Sequence, residues 1–491
     1  MHSIIASSGA SIIISFSMHT LELVLFTLHS FHHSRISSLI NSFSTVIMAT
    51  RPFDLLVYGA TGFTGKKVAQ YAIEQHPDLS IAIAGRNESK LLTVADQLGL
   101  PPSSSFVASL EDDGSGSGTN DELINTVRKA RVILACAGPF RQCGMPLVKA
   151  AVQAKTDYLD LCGEPQFFDD TLVECEEDAR KNNVLVVSAC AFDCVPADLS
   201  ASLVAREVRK RFATDGGEDG GSVGGDAVVS GIEICHTFGG VAKANATTFH
   251  AAVDGFYAGH SGDLKKSRQK VEEKFRVEKP PQRPPEWPKV PQQPGNLPVF
   301  HHDSETYSMK FPGADAAAIF GSWRYLRLRE PEKYGKIPQP RLSVCFGCPD
   351  KVTSMKVLSF GAVFASLARY RFGVDLLHRY PEVFTNGVFV QGGPSQEELE
   401  RGTFRTYSTG YGRSKDEIVR ATCDGPEPGY VATPKMLVAL ALTVLKHREN
   451  LAFAGGVTLP GALFGECQEV YDILKESGVV FNVEEATVEN S

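Results

Sequence analysis

The stretch that most constrains this chain is LLVYGATGFTGKKV, Leu55 to Val68: an apolar run, three evenly spaced glycines, then a basic helix start. An apolar run without alternation describes a strand buried on both faces. The same rhythm recurs downstream. Short apolar runs at Leu55–Tyr58, Ser80–Ala84, Val132–Cys136, Tyr158–Leu161 and Val184–Ser188 read as strands. Helical stretches at Phe63–Gln75, Glu88–Leu98, Asp121–Lys129, Met145–Ala154 and Phe167–Lys181 separate them. Such repetition is the mark of an α/β fold with a doubly wound parallel sheet. The acidic, glycine-rich EDDGSGSGTND at 111–121 is a surface loop within it.

The glycine turn, Gly59-Ala60-Thr61-Gly62-Phe63-Thr64-Gly65, follows a strand and opens a helix, the context a dinucleotide-binding turn requires. Gly59 permits the tight turn, Gly62 lets a pyrophosphate near the backbone, and Gly65 lets helix and sheet pack closely. The helix start offers N–H groups and a positive dipole end to phosphates. The spacing is G-x-x-G-x-x-G, not the usual G-x-G-x-x-G, and the alternative reading is a plain glycine-rich turn.

The next strand ends IAIAGRNESKL, placing Arg86 and Asn87 where an NAD-specific fold would carry an acid for the ribose 2′-hydroxyl. A guanidinium there pairs with a 2′-phosphate and stacks on adenine, and Lys90 adds charge one turn later. Arg86 at a helix start is otherwise electrostatically misplaced. The expected cofactor is NADP(H). Cys136-Ala137-Gly138-Pro139-Phe140 closes a strand at the carboxyl edge of the sheet, so Ala137 to Phe140 are read as a close-approach loop near the cofactor.

After Pro196 the character changes. Asp198–Arg211 reads as a helix, 214–226 as a flexible excursion, and VVSGIEICHTF as a half-buried strand. The proline-rich 279–298 must be extended, as a linker or surface strap. MKVLSFGAVFASLARYR, 355–371, has about a dozen apolar residues between basic flanks, too few to span a bilayer alone. It reads either as a buried helix or as an interfacial anchor. Thr433-Pro434 opens a core helix, and Gly455 to Pro460 and Val479–Val483 are read as a turn and a last strand.

At 491 residues the default is two domains, and a net charge of -8 without a Lys/Arg stripe argues against nucleic-acid binding. Eleven cysteines show no disulfide rhythm. The one Cys-x-x-Cys, Cys345 to Cys348, has no second pair, so no metal site is expected. Residues 1–49 are rich in Ser and His, with Glu22 the sole acid and Arg35 the sole base. They are read as a targeting or dispensable extension.

The motifs GATGFTGK, AIAGRN, CAGPFRQCG, DYLDLCGEPQF and ACAFDCVPADL come in the order found in the saccharopine dehydrogenase-like oxidoreductases. RFGVDLLHRYPEVF, GGPSQEELERGTF, GPEPGYVATPKM and GGVTLPGALFG extend that resemblance over roughly 53–483. The first half is also similar to bacterial trans-acting enoyl reductases of glycolipid synthesis. The resemblance implies a Rossmann domain at 50–195, a second α/β (α+β) domain at 196–430, and a C-terminal return at 431–491 packing near the nucleotide domain. It also implies association with lipid droplets, mitochondria or membranes, with 355–371 as the contact, although a cytoplasmic location stays open.

Two acids stand at strand ends facing the expected nicotinamide. Glu164 and Asp193 are the candidate catalytic residues, able to protonate or orient a substrate. Their plainer readings are a cap on the next helix and a domain-crossing turn. Three functions remain open: an NADP-dependent reductase of a hydrophobic acyl or lipid substrate, a saccharopine-type amino-acid reductase, and a non-catalytic nucleotide-binding protein on lipid droplets or membranes.

Overall fold

The strands that the apolar runs announce do form one parallel sheet. In the computed structural model, which describes residues 51–485 except 113, 115, 117, 214–227, 241–242, 292–293 and 296, six strands come first. They are β1 (Phe53–Tyr58), β2 (Ile81–Gly85), β3 (Ser105–Val107), β4 (Ala130–Ala135), β5 (Asp157–Asp160) and β6 (Leu185–Val187). They lie in the order 3-2-1-4-5-6, all parallel. Leu55 of β1 sits between Ile81 and Val132, so the order reverses at β1. In such sheets that reversal opens the ligand crevice at the carboxyl ends.

The second half builds β7 (Gly231–Gly239), β8 (Ala244–Asn245), β9 (Val299–His301), β10 (Thr306–Lys310), β11 (Arg341–Cys348), β12 (Phe389–Val390), β13 (Thr403–Tyr411) and β14 (Ile418–Pro426). Then come β15 (Gly456–Thr458) and β16 (Val480–Val483). A mixed sheet runs β16-β14-β13-β7-β11-β10-β9, antiparallel except for β7 beside β11, and β8 pairs with β12. Helix Val195–Arg211 lies along β7, β13 and β14. Its buried side chains join the same continuous core as those of the parallel sheet.

Two expectations are corrected. Gly456–Thr458, read as a turn, is a strand that adds to the nucleotide sheet beside β6. Three residues are too few for a period to show. Segment 355–371 is not a buried helix. Arg371 opens helix Arg371–Arg379, and residues 355–367 belong to helix Lys351–Leu367, whose Val352 and Val363 are 65% and 54% exposed. Only Ser354 and Phe364 of that helix are buried, because it packs on one side against β10, β11 and helix Arg371–Arg379.

Among its described residues the proline-rich strap has no regular element, and it runs across the end of the mixed sheet. The Arg341 guanidinium donates to the Lys289 carbonyl there, and Trp287 is nearly buried. Helix Thr433–Lys446, with Pro434 in its first turn, packs against helix Phe63–Gln75, β4 and β5. The stretch Pro428–Lys446 is long and apolar enough to cross a membrane, but it is 78% buried inside the protein. An all-round apolar helix in that setting is core. The extension 1–49 and the excursion 214–226 lie outside the described residues.

Candidate active site

The glycine turn meets the backbone constraints that a phosphate cradle needs. Gly59 has φ +87°, and a Cβ there would lie 2.9 Å from the Ala137 nitrogen. A Cβ on Gly65 would collide with the Gly59 carbonyl oxygen, so helix Phe63–Gln75 can approach β1 this closely only through glycine. The Gly62 N–H donates to Gly59 O at 3.0 Å, closing the turn. Gly62 caps the helix, and no side chain covers its first N–H groups. Gly62 and Phe63 are exposed, whereas Ala60 is buried and Thr61 and Thr64 are half-buried. A narrow, uncapped helix start without side-chain bulk fits a pyrophosphate.

Arg86, directly after β2, is exposed and has no ion-pair or side-chain hydrogen-bond partner among the described residues. Its charge reaches Tyr58 and Cys143, lowering the pKa of each against the upward push of burial. The guanidinium therefore belongs to the crevice edge. Lys90 is exposed beside it. Asn87 is already engaged within its own helix. Its carboxamide oxygen accepts from the Lys90 N–H at 2.9 Å and the Ser89 hydroxyl at 3.0 Å, capping helix Glu88–Gln97. That leaves only its amide NH2 for a ligand.

The loop after β4 carries a cis Gly138–Pro139 bond, with Gly138 and Pro139 exposed and Phe140 buried against Phe167. Glu164 holds this loop. Its carboxylate accepts the Phe140 N–H at 2.7 Å and the Arg141 N–H at 3.2 Å. It thus caps the short helix Phe140–Cys143, upstream in the chain, and not the following helix, which has no side-chain cap. Burial pushes the thiols of Cys136, Cys162 and Cys194 up, so they stay protonated and inert.

Asp193 lies beside the loop after β5, close enough to Gly163 that a Cβ there would lie 2.9 Å from Asp193 Oδ2. Its side chain is exposed to solvent, and desolvation by the surrounding protein, with the Asp315 charge second, pushes its carboxyl up to about 6. Behind it, Asp315 Oδ1 lies 3.3 Å from His236 Nε2, and His236 Nδ1 bonds the Thr406 hydroxyl at 2.8 Å. Asp315 and His236 are both fully buried. The wall beside them is aromatic: Phe192 packs on Phe404 at 4.8 Å and on Phe238 at 5.9 Å, and Phe311 packs on His236 at 5.1 Å.

Four contributors were not foreseen from the sequence. Asp160 is a buried clasp that accepts from the N–H groups of Cys162 and Ala189 and from the Ser188 hydroxyl, and burial pushes it up to about 6. Tyr430 meets Phe63 edge-on at 4.9 Å, and its hydroxyl accepts the Asn245 N–H at 2.8 Å. Burial pushes the Tyr430 hydroxyl up and keeps it protonated. The segment just before the C-terminal return thereby closes over the glycine turn. Asp315 and His236 complete the set, on elements far apart in the chain. No spacing rule could have joined them.

Residues 55–187 match the family model for the saccharopine dehydrogenase NADP binding domain. A Rattus norvegicus saccharopine dehydrogenase-like oxidoreductase is 31% identical over 89% of this chain and 99% of its own length. A Caenorhabditis elegans lipid droplet localized protein is 28% identical, covering 88% of this chain and 98% of its own. A Mycobacterium tuberculosis protein named as a trans-acting enoyl reductase is 27% identical, covering 85% and 94%. The uncapped glycine turn and the free Arg86 are what an NADP-binding crevice requires, and with these matches the chain belongs to the saccharopine dehydrogenase-like oxidoreductases, as an NADP-dependent member.

Proposed function

We propose that this oxidoreductase reduces a hydrophobic acyl or lipid-type substrate, and that it works at a lipid surface. When bound, NADPH supplies the hydride. The turn Gly59–Gly65 would hold its pyrophosphate, Arg86 and Lys90 its 2′-phosphate, and Ala137 to Phe140 its nicotinamide end. Glu164 acts through the Ala137–Phe140 loop as a positioning residue, since its oxygens are engaged by backbone N–H groups. Asp193 is the proton holder. A carboxyl raised to about 6 can exchange a proton near neutral pH with the substrate atom that becomes anionic. The Tyr430 hydroxyl, kept protonated, adds a hydrogen-bond donor on the same side.

The observation that carries the substrate class is the aromatic wall of Phe192, Phe238 and Phe404 beside Asp193, with Phe238 41% exposed. An amino-acid substrate would need paired cations there, and phenylalanines offer none. The name of the mycobacterial relative favours a conjugated acyl group. The test is NADPH consumption with medium- and long-chain 2-enoyl thioesters against saccharopine-type amino acids, with Asp193→Asn beside wild type. Turnover of the thioesters, reduced about 100-fold or more by the substitution, is expected. Turnover confined to the amino acids would overturn the reading.

The lipid surface rests on helices Lys351–Leu367, Arg371–Arg379 and Pro381–Phe384. They expose Phe372 at 67% and Val383 at 75%, and Lys356, Arg369, Arg371 and Arg379 flank the apolar positions. Apolar insertion beside basic side chains suits an anionic interface. The worm relative's name points the same way. Flotation with phospholipid-coated triacylglycerol droplets should carry the wild type up and leave Phe372→Glu/Val383→Glu in solution. Equal flotation of both would sink this placement.

A further inference from the structure

We propose a zinc site on the outer face of the mixed sheet, formed by Cys235, Cys345 and His301. It is independent of the cofactor crevice. Parallel strands β7 and β11 place Cys235 and Cys345 at the same register, side by side. Strand alternation sends Ile232, Ile234 and His236 toward helix Val195–Arg211, and Glu233 and Cys235 to the opposite face. The β9–β10 hairpin folds over that face and delivers His301. One nitrogen of His301 and the two sulfurs lie within 4.8 Å of one another. Among the described residues this is the one such group of three. Both thiols are fully buried.

The surroundings are those of a ligating imidazole. The Ser304 hydroxyl stands 2.8 Å from His301 Nδ1 and 3.9 Å from Cys235 Sγ, and the Ser304 N–H donates to that Nδ1 at 3.2 Å, a bond that metal ligation would replace. His301 Nε2 faces Glu233 Oε2 at 3.8 Å, and the Tyr411 hydroxyl donates to that same carboxylate oxygen. A carboxylate behind the ring orients metal-binding histidines. Two thiolates and one imidazole are a soft donor set that selects zinc over magnesium or calcium, with water or Ser304 in the fourth position. Zinc entry releases the two thiol protons and pins the hairpin to the centre of the sheet. The Cys345-Phe-Gly-Cys348 spacing misdirects here, because residues three apart on a strand face opposite ways. The partner of Cys345 is a strand away, not three residues away.

The test is metal content of the full chain, purified under reducing conditions without a metal-affinity tag and after growth with zinc. About one zinc per chain is expected, lost in Cys345→Ser and in Cys235→Ser, with NADPH binding retained. Cobalt added to the wild type should give thiolate-to-metal charge-transfer absorption that His301→Gln weakens. The cobalt measurement stands even where a cysteine variant fails to fold. Zinc near background in the wild type, equal zinc in all variants, or a disulfide between the two cysteines by mass would each overturn the site.

Discussion

The parallel sheet and the helical satellite at 246–261 and 351–384 solve the same problem differently. In the sheet, apolar side chains from both faces join one large core, and Leu55, Leu56, Ile133 and Leu134 have no exposure. In the satellite, a small cluster of Phe249, Val253, Phe364, Ala368 and Leu377 holds three helices together. Many apolar neighbours, Val352, Phe372 and Val383 among them, are left in solvent. Apolar side chains therefore end in opposite burial in the two regions. What differs is the number of partner surfaces: a sheet strand has two, whereas helix Lys351–Leu367 has one.

The largest test strikes the tightest point of the sheet half. Gly65→Val should abolish NADPH binding, measured by fluorescence titration, because a side chain cannot enter against the Gly59 carbonyl. Next, matched core truncations compare the regions directly. Leu134→Ala should cost about 3–5 kcal/mol in urea unfolding, and Leu377→Ala about 2 kcal/mol, since the sparser cluster collapses more easily. Equal costs would mean the satellite is as tightly packed as the sheet.

A third prediction concerns pH. The Asp160 carboxyl is raised to about 6 from 3.8, chiefly by burial, so the folded state prefers its protonated form. Its contribution is fully present below about 3.8 and is lost as pH rises through about 6. Asp160→Asn should therefore gain on the wild type between pH 4 and 7, by on the order of 3 kcal/mol. A difference flat with pH would show Asp160 ionised at no cost.

Smaller still, Arg86→Ala should weaken NADPH about 10- to 100-fold and leave NADH unchanged, as expected for a charge-assisted contact to a 2′-phosphate. Parallel calorimetry with the two nucleotides decides it. Smallest of all, Val383→Ser should move the unfolding free energy by no more than about 0.5 kcal/mol, because the side chain is already 75% exposed. A larger loss would place Val383 in a core contact and break the contrast between the regions.

The sheet half was legible because its signals are local. Continuous apolar runs give β1, β2 and β4 within two residues, and the glycine turn stands where the motif puts it. The candidate site was legible only in part. Asp193 lies beside Gly163, but Glu164 turned out to clasp a loop that precedes it in the chain. β15 escaped notice because three residues carry no period, and it reaches the sheet from the far end of the chain.

The sequence by itself determined the parallel sheet, the glycine turn and the place of Arg86 at the end of β2, since each depends on residues within one strand–turn–helix unit. Tertiary structure alone decided that Tyr430 closes over Phe63, that Asp315 and His236 stand behind Asp193, and that Cys235 meets Cys345 and His301. Those groups come from segments as much as 367 residues apart, as for Phe63 and Tyr430, and only sheet register and packing bring them within reach. The same holds for the satellite's bare apolar face. Whether a hydrophobic helix is buried depends on what the rest of the chain has left to cover it.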